Sequence, residues 1–185
     1  MRRFAAVGAA AAVLVLSGCG GEEVGDKPDL PDETPALWNP CDVLDPTTIE
    51  DAFGTVAEEE NGETTAPECR FVPAAEGDPA VTVNYLLFSG TLDEAFETMD
   101  LSPDATSTSP QVEGADATRI IVNAGPKNLA VSGFVANGDL IQSINVVDPA
   151  PYDEAAVVAG ISDLLTTLSK HAVDSGVTDE SSAAE

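Results

Sequence analysis

The stretch "LAVSGFVANGDLIQSINVV", residues 129–147, constrains the fold more than any other part of the chain. Asn137-Gly138 supplies the positive φ angles that a tight hairpin turn requires, and apolar residues alternate on either side of it. A two-residue turn there sets Val135 opposite Leu140, Val131 opposite Ile144 and Leu129 opposite Val146, so one hairpin face is consistently apolar. The other face takes Ala130, Ser132, Ser143 and Asn145, with Phe134 opposite Ile141. A one-residue slip would scatter this pattern, so the register is well specified. Phe134 and Ile141 emerge together and are the candidate binding surface, because an aromatic beside an aliphatic is an anchor of the kind interfaces use. The same pair also fits beneath another helix or the polar loop at 101–115; burial separates the two readings.

Other segments carry start and stop signals. In "DPTTIEDAFG", Asp45 suits the N-cap, Pro46 the first helical position and Gly54 the stop, while Ile49 and Phe53 share one face. "EEENGETTAPE" reads as an acidic loop. "CRFV" and "AVTVNYLLF" are strand-like; in the second, Val81, Val83, Tyr85 and Leu87 alternate against Thr82 and Asn84. Thr91 and Glu94 form a capping box for a short helix with Phe96 and Met99 on one side. "LSPDATSTSPQVEG" is a polar loop and "ATRIIV" a further strand. The segment from Asp153 to His171 predicts a helix of four to five turns, with Val157, Ile161, Leu164, Leu165 and Leu168 as its buried stripe. Asp153 and Glu154 near its start and Lys170 and His171 at its end match the helix dipole.

The N-terminus supplies an address. Arg2 and Arg3 precede an apolar run from Phe4 to Leu16, as in a signal peptide; the run is shorter than the ~20 residues that span a bilayer. Leu16-Ser17-Gly18-Cys19 resembles a bacterial lipobox. The resemblance implies removal of residues 1–18 and attachment of diacylglycerol to the Cys19 thiol, giving the two chains that stable anchoring needs. Residues 19–37 are rich in Pro, Gly and acids, and read as a tether of roughly 60 Å when extended. It serves either as a spacer that lifts the domain off the membrane or as a leader with no length requirement. Residues 172–185 read as a disordered acidic tail, leaving one globular domain at 38–171. The chain has 7 basic and 33 acidic residues, a net charge of −26. That disfavours nucleic acid as a partner and direct contact with anionic lipid. A solubilising surface explains the acids, since no Asp-x-Asp-x-Asp-Gly loop marks a calcium site.

Of three cysteines, Cys19 is assigned to lipid, which leaves Cys41 and Cys69. An even pair in an oxidising compartment reads as a disulfide. Its span of 28 positions corresponds to roughly 3.5 kcal/mol of chain-entropy stabilisation. Metal binding fits poorly: the spacing is not Cys-x-x-Cys, and the sole histidine, His171, lies far along the chain.

The order helix, strand, strand, helix, three strands, helix predicts an α+β fold: an antiparallel sheet of about five strands, two or three helices packed on one face, and one disulfide. "NPCDVLDPTTIEDAFG" followed by "CRF" resembles the small actinobacterial lipoproteins grouped as domain-of-unknown-function family 3558. The likeness spans roughly residues 38 to 170, but its specific part is short. Val43-Leu44 stands where that family usually has two leucine-like residues, and Phe71 where Trp is common. The resemblance implies an envelope lipoprotein and brings no catalytic residue.

No catalytic constellation is found. One histidine makes a zinc-binding His-x-x-x-His helix impossible, a Ser-His-Asp triad would have to use His171 at a helix end, and no Gly-x-Ser-x-Gly elbow is present. The expectation is a non-catalytic binding domain with no cofactor and no metal, lipid-anchored on the extracytoplasmic face of the cell membrane, with an envelope protein as candidate partner. The alternative is a carrier or sensor of a small apolar ligand held between the sheet and the C-terminal helix.

Overall fold

A computed structural model describes residues 37–63, 66–99 and 102–176. The expected signal peptide, Cys19, nearly all of the expected tether and the end of the expected tail lie outside the described residues. Seven strands form one antiparallel sheet: β1 (Ala57–Glu63), β2 (Ala66–Pro73), β3 (Ala80–Leu87), β4 (Thr106–Thr108), β5 (Ala117–Ala124), β6 (Asn128–Asn137) and β7 (Leu140–Pro149), in the spatial order β1-β2-β3-β7-β6-β5-β4. Among the described residues, three α-helices accompany them: α1 (Pro46–Phe53), α2 (Leu92–Glu97) and α3 (Glu154–Asp174).

The expected helix signals act as read. Asp45 accepts from the Thr48 amide at 2.7 Å, and Gly54 ends α1 at φ +70°. Thr91 and Glu94 cap α2 reciprocally, at 2.7 and 3.2 Å. Asp153 caps α3, whose five expected stripe residues are all buried. This helix runs three residues past His171 and buries Ala172 completely, so residues 172–174 belong to the domain and not to the tail.

The strand count rises from about five to seven because two polar segments pair. "AEEENGE" becomes β1 and "TST" becomes β4, the two edges of the sheet. Neither has apolar alternation; each is held by its neighbour's ladder. The glutamates of β1 keep its open edge in water, which guards an edge strand against pairing with other chains.

The central hairpin forms one residue later than expected. Asn137 pairs with Leu140, and Gly138-Asp139 make the turn, with Gly138 at φ +59°. A glycine at the first central position fits a type II′ turn. Val131 therefore faces Val146, Val135 faces Gln142, Phe134 faces Ser143 and Ile141 faces Ala136. Moving the turn by one residue shifts each cross-strand partner by two, so every side chain keeps its expected face. Asn137 itself is fully buried: its amide donates to the Gly114 carbonyl at 2.8 Å and to Ser169 Oγ at 3.0 Å, tying the 113–114 turn to α3.

α1 and α3 lie on one face. Phe71, Val81, Val83, Ile120, Val131, Val135, Ile144 and Val146 point to that side and pack with Ile49, Ile161, Leu164, Leu165 and Leu168. Packing is close enough to require glycine twice. A Cβ on Gly133 would sit 2.3 Å from Ile161 Cγ2, and one on Gly160 would sit 2.6 Å from the Ala52 carbonyl oxygen of α1. The disulfide joins Cys41, in a single 3-10 turn at Pro40–Asp42, to buried Cys69 on β2, with 5.1 Å between Cα atoms.

The second helix departs from the expected placement on that same face. After β3 the chain crosses the opposite side of the sheet as α2, enters the far edge as β4, and returns strand by strand until β7 pairs with β3. Leu92, Ala95 and Phe96 of α2 thus meet Ile121, Ala136 and Ile141, which alternate away from the α3 side.

Candidate functional site

The side of the sheet opposite α3 is only partly roofed. α2 covers the end near the β6–β7 turn, where Phe96 stands edge-on to Phe134 at 5.0 Å and lies 4.9 Å beneath the Arg119 guanidinium. Arg119 also pairs with Asp93. Ile141 is 2 % exposed under this roof, and Phe134 is half-buried against it. The pair expected to form a binding surface is therefore packed beneath a helix. The physical reason is the crossover: the connection from β3 to β4 must traverse this face, and its apolar residues settle on the nearest apolar spots of the sheet.

Beyond α2 the same face is polar. The strand registers align Glu68, Asn84, Ser143 and Phe134 in one row, and Arg70, Thr82, Asn145 and Ser132 in the next. Ser143 donates to the side-chain oxygen Oδ1 of Asn84, and Ser132 donates to Oδ1 of Asn145 at 2.7 Å. Each serine fixes an asparagine, while neither amide nitrogen bonds to a described residue. Two oriented NH₂ donors thus stand on a half-buried surface. Arg70 pairs with Glu68 beside them. Next to these rows the β1–β2 hairpin borders an open concavity of about 700 Å³, lined by Glu60, Gly62, Glu68, Arg70, Asn84 and Tyr85 among others. With carboxylates at its rim and one guanidinium already paired, it suits uncharged hydrogen-bonding groups better than anions.

This arrangement can hold a ligand through hydrogen bonds, but it contains no nucleophile paired with a base. His171 lies on the other face, in the last turn of α3. Among the described residues no three of His, Cys, Asp and Glu converge as a metal-binding group, and no helix is long and apolar enough to cross a membrane. Cys41 and Cys69 are consumed by their bond. Between the sheet and α3, where an apolar ligand was the alternative expectation, the two layers approach closely at Gly133, where a Cβ would meet Ile161.

The polar rows had a sequence signal. Thr82 and Asn84 alternate against Val81 and Val83, and Ser132, Ser143 and Asn145 fall opposite the hairpin's apolar set. What the sequence lacked was the position of α2, which decides that Phe134 is roofed and Asn145 is not. Comparison with protein-family models, with curated proteins and with solved structures returns no match to this chain.

Proposed function

We propose that this chain is a lipoprotein of the cell envelope, anchored through Cys19 on the extracytoplasmic face of the membrane, whose domain acts by binding and not by catalysis. The observation that carries the reading is Leu16-Ser17-Gly18-Cys19 directly after a short apolar run led by two arginines. The Cys41–Cys69 bond supports it, since disulfides persist in oxidising compartments. The likeness of the Cys41–Phe71 region to small actinobacterial lipoproteins supports it as well. The polar rows around Asn84 and Asn145 are the recognition surface in this reading, with an envelope component as partner.

Metabolic labelling with an alkyne fatty acid, followed by membrane fractionation in an actinobacterial host, tests the anchor. The native chain is expected to label and to sediment with membranes; Cys19→Ala is expected to lose the label and leave the membrane. Retention of label by the variant, or an intact mass that still contains residues 1–18 on a soluble native product, would overturn it.

A further inference from the structure

The open concavity beside the polar rows has a structural cause on each side. β2 pairs with β3 only as far as Glu68 and Asn84, while β3 stays paired with β7 through Leu87. The next residue of β2 is Pro67, which has no N–H to extend the ladder. On the outer side, the register of β1 against β2 shifts between Asn61 and Glu63. Gly62 sits in that bulge; a Cβ there would come within 2.9 Å of both the Ala66 carbonyl oxygen and the Glu68 amide nitrogen. A bulge bends its strand and re-aims the neighbouring side chains. The hairpin therefore parts from β3 and leaves a hollow of about 700 Å³, with Gly62, Pro67, Glu68, Arg70, Asn84 and Tyr85 around it.

On the reading that the polar rows are the recognition surface, we propose that this hollow binds an uncharged saccharide of one or two rings. Its volume falls in the range of about 300–1,000 Å³ usual for small-molecule sites. Its lining is divided as a sugar is. Glu68 and Asn84 are direct cross-strand partners, so a carboxylate acceptor and an amide donor stand on Cβ atoms about 5 Å apart. A sugar hydroxyl both donates and accepts, and neighbouring hydroxyls along a ring edge suit such an alternating pair. Ser143 donates to Asn84 Oδ1 and so fixes the amide, with its NH₂ as the end that donates. Arg70, paired with Glu68, brings further donors. Pro67 and Tyr85 supply ring carbon against which the C–H face of a sugar can lie. Glu60, Glu63 and Glu68 outnumber Arg70, so a phosphate or carboxylate ligand is repelled. The lining is mostly carboxylate, amide and guanidinium, which leaves too little carbon for a wholly apolar ligand.

The mature full-length protein, held in a detergent without a sugar headgroup, is titrated separately with maltose, cellobiose and lactose. The side-chain NH₂ signals of asparagine are followed by nitrogen-edited NMR, and Asn84→Ala identifies the Asn84 signal by its loss. At least one disaccharide is expected to move that signal saturably, with half-saturation at or below ~10 mM, the strength of a few net hydrogen bonds. Glu68→Gln keeps the shape of the side chain and removes its charge. It is expected to weaken that disaccharide about tenfold, the worth of one charge-assisted hydrogen bond, with the thermal midpoint unchanged. No saturable shift from any of the disaccharides at ~100 mM, tenfold above that scale, would overturn the assignment. So would unchanged affinity in Glu68→Gln. Cosedimentation with purified cell-wall polysaccharide, reversed by the disaccharide, would assign the ligand to the wall; disaccharide binding without cosedimentation would assign it to a soluble sugar, and either result upholds the site. The Cys19 label is read separately, so loss of the saccharide site leaves the anchor standing, and loss of the anchor leaves the site standing.

Discussion

The two sides of the sheet are built from the same strands and differ in what they ask of their residues. Toward α3, most alternate positions are Val, Ile, Leu or Phe, with Asn137 and Gln142 buried among them, and the sheet interlocks with a helix so closely that Gly133 has no room for a methyl group. Toward α2, a six-residue helix covers one end, and Asn, Ser and Thr occupy the middle. The contrast separates two jobs. The first side supplies the stability through area removed from water and dense packing. The second is released from that duty and keeps polar groups oriented at the surface.

The contrast breaks most visibly if large cuts on the α3 side prove harmless. Leu165→Ala removes a fully buried side chain that packs against Gly133's position, and a loss of about 4 kcal/mol is expected in urea unfolding. Replacing Cys41 and Cys69 by serine frees the link between the 3-10 turn and β2, with an expected loss of about 3.5 kcal/mol on the chain-entropy account. The roofed end of the other side should be intermediate. Phe134→Ala vacates a half-buried site under Phe96, and about 1–2 kcal/mol is expected, below the cost of truncating a fully buried aromatic.

The smallest effect sharpens the comparison by pH. Asp148 of β7 is buried, and desolvation, with a further push from Asp78, raises its pKa above the ordinary value of 3.8. A carboxyl with a raised native pKa binds its proton more readily folded than unfolded. Its ionised form therefore costs stability above the native pKa, and that cost disappears as pH falls through the native pKa toward 3.8. Asp148→Asn is expected to raise the thermal midpoint slightly at pH 7 and to lose this advantage near pH 3, as calorimetry at the two pH values would record.

Much of this architecture was legible because its signals are local. Asp45, Thr91, Asp153 and Gly54 cap or stop helices with groups that act within one turn. The α3 stripe and the hairpin alternation have periods that survive small errors, which is why the turn at Gly138-Asp139 displaced partners without exchanging faces. Asn137 misled because an Asn-Gly pair favours a turn locally, whereas here its amide is required by Gly114 and Ser169, distant in sequence. β1 and β4 were hidden for the same reason: glutamates and threonines with no apolar period become strands only through β2 and β5. The fate of Phe134 and Ile141 depended on where a crossover helix lands, and the composition of a strand does not encode that.

The division between a structural side and a proposed recognition side is tested most directly by the double variant Asn84→Ala, Asn145→Ala, measured by urea unfolding beside Leu165→Ala. The account expects the double variant to stay within about 1 kcal/mol of the native protein, as for surface changes that break no buried network, while Leu165→Ala falls by about 4 kcal/mol. A loss in the double variant as large as that of Leu165→Ala would contradict it, and would make the polar rows part of the frame that holds the sheet together.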